Sequence, residues 1–440
     1  MALRKIMLPT VALLALASVA KADDWPQWMG PKRDNVWRET GIVEKFPQGG
    51  PKVFWRAPLN GGYAGPAVSG GKVYVLDRVL AKGAVNPDDP FDTKNKINSV
   101  ERVLCLDAKT GKPIWKQEYN CPYQISYPAG PRCTPLVHEG KVYTLGAMGN
   151  LYCFDADTGN IVWQKDFKEA YKAKPALWGY AAHPIIDGKK LITLVGGEGA
   201  HVVAFDKDTG AELWKAGSQS ETGYSPVLLT EAGGKRQCIV ACPKAVYSVN
   251  PETGEEYWST PFKADSGCIV MTPVRVGEHL YVGSYHGKNL LLKLNADKPG
   301  VEVVWKDKKD QGVSPVNVQP FLQDGVLYGY DDSGWMYGVE LPSGKRLWES
   351  VGPVGGMEPK GSETAFMVKN GDRFFFFAES GDLVIGKLTS KGYEELDRAK
   401  LLEQTNAAFG RKVVWCAPAY ADKKAFIRNG KEIICVDLAK

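Results

Sequence analysis

The chain has 440 residues, with 55 basic and 50 acidic side chains for a formal charge of +5. Without Arg4, Lys5 and Lys21 of the N-terminal stretch, 52 basic residues face 50 acidic ones, a balance that argues against a nucleic-acid binder. The length alone suggests two or three domains, but internal repeats override that prior.

Residues 1–22 read as a secretory signal. Arg4 and Lys5 form a basic start, residues 6–19 an apolar core, and Ala20-Lys21-Ala22 a small-residue cleavage site. That core is too short to cross a bilayer of about 30 Å. No later run is longer, and no cysteine lies at the cleavage site to carry a lipid. The expectation is a periplasmic or secreted chain, cleaved near Ala22, with no transmembrane segment. Residues 23–52 form a lead-in, DDWPQWMGPKRDN at its start, with Trp25 and Trp28 expected to pack on the rim of the repeat region.

Residues 53–440 are organised by one motif. DAKTGKPIW at 107–115 recurs as DADTGNIVW at 155–163, DKDTGAELW at 206–214, NPETGEEYW at 250–258 and, weakened, ELPSGKRLW at 340–348. Asp or Asn bonds its own turn, Thr-Gly makes the tight reversal, and the next strand carries a large indole. From Trp115 the anchors fall at Trp163, Trp214, Trp258, Trp305 and Trp348, at spacings of 48, 51, 44, 47 and 43. Each unit also has a front half such as GPAVSGGKVYVL from Gly65 or TPLVHEGKVYTL from Thr134, and eight such halves are present. The pattern predicts an all-β, eight-bladed β-propeller with four-stranded blades. The last copy lacks a Trp strand, and the first Trp strand, around Trp55, lacks a front half. Residues 53–57 are therefore expected as the outermost strand of the last blade, closing the ring and removing an edge. The copy at 364–400 has no Trp, and Leu396 stands at the expected position.

Three carboxylates in the blade-one insertion, Asp88, Asp89 and Asp92, read as a solvated loop, since nothing completes a calcium shell. Cys105, Cys153 and Cys435 share one repeat position and read as small apolar core residues. Cys238 and Cys242 lie too far apart along one strand to bridge. Cys121 and Cys133 are the best pair for a disulfide. The connections into the front halves converge on one mouth of the ring, and place Tyr63, Arg132, Trp178, Tyr180, His183, Tyr224, Thr272, Gln319 and Glu363 there as a binding set. The five histidines are too scattered for a metal cluster.

The AxDxxTGxxxW hairpin with its xPxVxxGxVY front half resembles the pyrroloquinoline-quinone-like (PQQ-like) propeller repeat. That family includes quinoprotein alcohol dehydrogenases, the outer-membrane assembly lipoprotein BamB and exported repeat proteins of planctomycete type. The resemblance covers nearly all of residues 24–440 and implies that Trp55, Trp115, Trp163, Trp214, Trp258, Trp305 and Trp348 dock blade on blade. The departures matter. No adjacent Cys pair, no CxxCH and no assignable Glu/Asn/Asp set for Ca²⁺ is present. The sequence thus points to a non-catalytic scaffold of the cell envelope, with no cofactor and no catalytic residues expected, engaging an envelope protein or a small-molecule or glycan ligand. A diverged quinone-dependent oxidoreductase using PQQ and Ca²⁺, and a carbohydrate-binding propeller, are the alternatives.

Overall fold

The computed structural model describes residues 24–219, 221–308 and 310–440, so the expected signal at 1–22 lies outside the described residues. Eight four-stranded antiparallel sheets form the blades of a β-propeller. Blade 1 runs Ala67–Ser69, Lys72–Leu80, Ser99–Asp107 and Pro113–Asn120, from the channel outward. Blades 2 to 7 repeat this order, from Leu136–His138 in blade 2 to Gly392–Lys400 in blade 7. Blade 8 takes Ala419–Ala421, Lys424–Arg428 and Glu432–Asp437 from the C-terminal end and Val53–Pro58 as its outermost strand. Trp55 there pairs with Cys435, as the displaced Trp strand requires.

The repeated hairpin works through three coupled contacts. First, the Asp side chain caps its turn: Asp107 Oδ1 accepts from the Thr110 N–H at 2.8 Å and its hydroxyl at 2.7 Å. Asp155 and Asp206 do the same with Thr158 and Thr209. Second, the turn glycine has positive φ, 69° at Gly111, and a Cβ there would stand 2.5 Å from the Trp55 ring. Glycine is thus demanded by backbone conformation and by the neighbouring indole together. Third, every one of these indoles except that of Trp258 donates its N–H to a carbonyl in the next blade's turn. Trp55 reaches Ala108, Trp115 reaches Ala156, Trp163 reaches Lys207 and Trp214 reaches Pro251, all at 2.9–3.0 Å.

A feature invisible to the motif re-aims these indoles. Every outer strand has a β-bulge at the residue before the Trp position: Phe54, Ile114, Val162, Leu213, Tyr257, Val304, Leu347 and, in blade 7, Leu396. The bulge turns the indole toward the neighbouring blade and interrupts an otherwise open sheet edge. Phe54, Ile114, Val162, Leu213 and Val304 are left exposed as a result.

Register corrects the blade-7 assignment. Leu396 is the bulge residue, and Asp397, opposite Ile385, holds the Trp position. The reason is topological. Blade 8 has no turn between its third and fourth strands, because the fourth comes from residues 53–58, so no turn carbonyl awaits an indole. Asp397 instead accepts the Phe46 N–H of the lead-in at 2.6 Å. Trp258 also departs from the pattern. The blade-5 hairpin is longer, and the indole turns back to Gln237 Oε1 of its own blade at 2.8 Å.

The lead-in does more than cover a rim. Trp25 bridges Val68 of blade 1, Pro26 accepts from Val137 of blade 2, and the Arg33 guanidinium reaches Pro184 at 2.9 Å beside blade 3. Its return path bridges Lys369 of blade 7 and Ala439 after blade 8. Five blades are therefore tied across one end of the central channel.

Cys105, Cys153 and Cys435 stand directly opposite Trp115, Trp163 and Trp55 on the neighbouring strand, where only a small side chain leaves room. Burial pushes each of these thiols up to about 12. The expected Cys121–Cys133 disulfide is not formed: both thiols are free, one beside Asn150 and the other beside the Tyr180 carbonyl. They pack in different hydrophobic clusters, Cys133 with blades 2 and 3 and Cys121 around Tyr123.

Candidate functional site: an aromatic funnel

The connections into the inner strands enclose a cavity of about 1050 Å³ at the other end of the channel. Its floor is the lead-in. Trp28 stacks on His183 with centroids 4.5 Å apart and planes 9° from parallel, and Arg33 sits over the same indole. Burial, reinforced by Arg33, holds His183 well below the usual histidine range, so it is neutral. The cavity is thus a blind funnel rather than a through-channel.

Its walls differ in chemistry. Where blades 8, 1 and 2 meet, Tyr63, Tyr127, Phe409 and Trp415 form a continuous aromatic wall, with Phe91 meeting Tyr127 edge-on at 5.3 Å. Arg132 lies over Tyr63, and its guanidinium donates to the carbonyls of Ser126, Tyr127 and Gly130. At blades 3 to 5, Trp178 packs on Tyr224 at 5.2 Å and meets Tyr285 edge-on at 6.5 Å. The third wall is acidic. Asp331 pairs with Arg346 at 3.2 Å and accepts the Ser314 N–H, while Asp332 accepts the His286 N–H at 2.6 Å.

Of the residues placed at this mouth from sequence, Tyr63, Arg132, Trp178, His183 and Tyr224 line the cavity. Four others, Tyr180, Thr272, Gln319 and Glu363, do not. Tyr180 is buried in the core of blades 2 and 3 with its hydroxyl on the Val195 carbonyl. Gln319 is spent on Thr272, donating to its carbonyl and accepting its N–H. Glu363 is buried against the Lys360 N–H, and burial raises its carboxyl above the ordinary range. The repeat gave no sign of Tyr127, Phe91, Phe409, Trp415, Tyr285 or Asp332. Phe91 comes from the blade-1 insertion, where the Pro90 carbonyl accepts from Tyr127 N–H and the Ser126 hydroxyl. Within that insertion Asp89 and Asp92 cap their own loop, bonding the N–H groups of Phe91 and Lys94. Phe409 sits on an extra two-stranded hairpin, Asn406–Ala408 and Arg411–Val413, between blades 7 and 8.

A family model described as outer membrane protein assembly factor BamB matches residues 99–240 and 243–440. The chain belongs to this PQQ-like, BamB-like family. Among solved structures, BamB from Moraxella catarrhalis is similar at a TM-score of 0.52 and 16% identity, over 82% of this chain and 100% of that one. Quinohemoprotein alcohol dehydrogenases from Comamonas testosteroni and Pseudomonas putida HK5 give TM-scores of 0.58 and 0.57 at 14% identity, each over 94% of this chain and 80% of theirs. At these identities the likeness is one of fold. No curated protein matches the sequence.

The residues present do not fit the quinone of the dehydrogenase neighbours. PQQ is a planar tricarboxylate and needs cations around it. The two arginines that line the funnel are committed: Arg132 to three backbone carbonyls, Arg346 to Asp331 and the Gly312 carbonyl. The wall opposite the aromatic residues is itself anionic. Among the described residues no group of three or more His, Cys, Asp or Glu is arranged to hold a metal. The funnel serines Ser266 and Ser333 donate to carboxylates, Asp265 and Asp331, rather than to a histidine. Ser266 and His286 both bond Asp265, at 2.9 Å each, instead of Ser266 bonding His286.

The Asp332 carboxyl is pushed up to about 6, by burial first, opposed by the His286 N–H and reinforced by Asp331. An unfolded aspartate ionises near about 4. The unfolded chain therefore releases this proton at lower pH than the folded one, and stability falls as pH rises from about 4 to about 6. Asp332→Asn keeps an acceptor for His286 and removes the charge. It is expected to raise the melting temperature at pH 7.5 and leave it unchanged at pH 4, measured by differential scanning calorimetry. A variant less stable than the parent at pH 7.5 contradicts this reading.

Proposed function

We propose that the chain is an exported, non-catalytic binding propeller of the cell envelope, with the aromatic funnel as its ligand or partner site. The observation that carries this is a blind cavity of about 1050 Å³ with aromatic walls. Cavities of this size and character are the default binding sites of folded chains. Membership of the BamB-like family supports an envelope protein as partner, and no helix among the described residues is long and apolar enough to cross a membrane. The basic, apolar and small-residue stretches of residues 1–22 support export.

The test is titration of the purified chain with soluble glycans, envelope-derived peptides and PQQ with Ca²⁺, followed by tryptophan fluorescence and thermal shift. At least one glycan or peptide is expected to bind, and the Trp178→Ala/Trp415→Ala double variant to remain folded and lose that binding. PQQ-dependent dye reduction with alcohols or aldoses would establish the quinone-enzyme alternative instead. Binding unaffected by the double variant would move the site away from the funnel.

A further inference from the structure

The aromatic surfaces of the funnel are not equally available. On one side the chain supplies its own cations: Arg132 lies 5.1 Å from the Tyr63 centroid, and Arg411 lies 5.8 Å from that of Phe409. Tyr337 is covered in the same way by Arg346, at 3.9 Å. Trp178 and Tyr285 carry no such cation among the described residues, although both face the cavity. The carboxylates show the same asymmetry. Asp331 is paired with Arg346 and Asp265 with His286, at 3.2 and 2.9 Å. Asp332 forms no ion pair among the described residues: it accepts the His286 N–H at 2.6 Å and hydrogen-bonds the neighbouring Asp331 carboxyl. That peptide N–H immediately follows Tyr285, so the unpaired carboxylate and the uncovered ring are fixed to one segment.

We propose that this corner of the funnel binds an organic cation, an ammonium carried on a ring-sized apolar body. Its charge would complete Asp332, and its body would lie against Trp178 and Tyr285. The reading rests on the funnel being a binding site. Elsewhere in the funnel rings of this kind already hold a cation, and a charge-assisted hydrogen bond with an uncovered aromatic face is the chemistry that recognises ammonium groups. The charged groups facing the corner are Asp265, His286, Asp310, Asp331, Asp332 and Arg346. Burial keeps the Asp332 carboxyl ionising near 6, and the Asp265 bond raises His286. Acidification therefore removes the negative charge and adds a positive one, so cation binding weakens as pH falls from 7.5 to 5.

The experiment compares phenethylammonium with its neutral isostere 2-phenylethanol on the full folded chain, by calorimetric titration and saturation-transfer NMR at pH 7.5. The cation is expected to bind at least tenfold more tightly. Asp332→Asn should erase that preference while the alcohol still binds, and Asp88→Asn on the exposed insertion should leave it intact. Equal affinity for the two probes, or a preference retained in Asp332→Asn, overturns the proposal and leaves the funnel reading standing. Binding of neither probe overturns the proposal, and the glycan and peptide titration then decides the funnel reading separately.

Discussion

Replacing Trp163 with alanine is expected to lower stability by about 3–5 kcal/mol, the range for a large aromatic removed from a core. The indole is buried beneath the blade-3 turn, its N–H donates to the Lys207 carbonyl at 2.9 Å, and a Cβ on Gly210 would lie 2.7 Å from its ring. The truncation thus opens a cavity between blades 2 and 3 and orphans a carbonyl there. Trp348→Ala should cost clearly less. That indole is only half-buried, although it keeps the same kind of bond, to the Thr389 carbonyl at 3.0 Å. Denaturant titrations of both variants check the ordering. Equal losses would mean that the hydrogen bond, not burial, dominates blade docking.

The second large effect is expected at the ring closure. Arg428 is fully buried on the second strand of blade 8, with its guanidinium on the carbonyls of Asn60, ahead of blade 1, of Leu76 on the second strand of blade 1, and of Asn429. Gly62 packs against it, where a Cβ would lie 3.0 Å from the guanidinium. Arg428→Met keeps most of the volume but leaves these buried carbonyls without their donor, which should cost about 2–5 kcal/mol. Arg56→Met is the control at the same seam. Its pair with Glu432, 2.9 Å long, is half exposed and should contribute less than about 1 kcal/mol. Chemical denaturation of the two variants decides. A small loss for Arg428→Met would show that strand pairing by Val53–Pro58 alone holds the ring shut.

The blade count, the closure and the docking indoles were legible because each rests on chemistry within a few residues. An Asp that caps its own turn, a glycine at positive φ and a Trp a few residues later recur in the sequence because each blade needs them locally. Blade-7 register was not legible. Placing Leu396 at the Trp position ignored the bulge, and a bulge shows only when the partner strand is known. Tyr180, Gln319 and Glu363 were misplaced for a related reason. They occupy connections on the correct end of the ring, but whether a side chain turns to the cavity or into a neighbouring blade depends on packing that the repeat does not encode.

By itself, then, the sequence determined the ring: how many blades, which strand closes it, and which residues hold blade to blade. These come from a repeated short-range pattern and from the missing halves at either end of the repeat array. Beyond Tyr63, Arg132, Trp178, His183 and Tyr224, tertiary structure decided the funnel. Its floor comes from Trp28 of the lead-in, the Phe91 and Phe409 parts of its aromatic wall from the insertion after Leu80 and the hairpin before Trp415, and its acidic corner from the Tyr285 and Asp332 loops of blades 5 and 6. None of these segments obeys the repeat. They share no spacing in the chain, and only closing the ring brings them around one space.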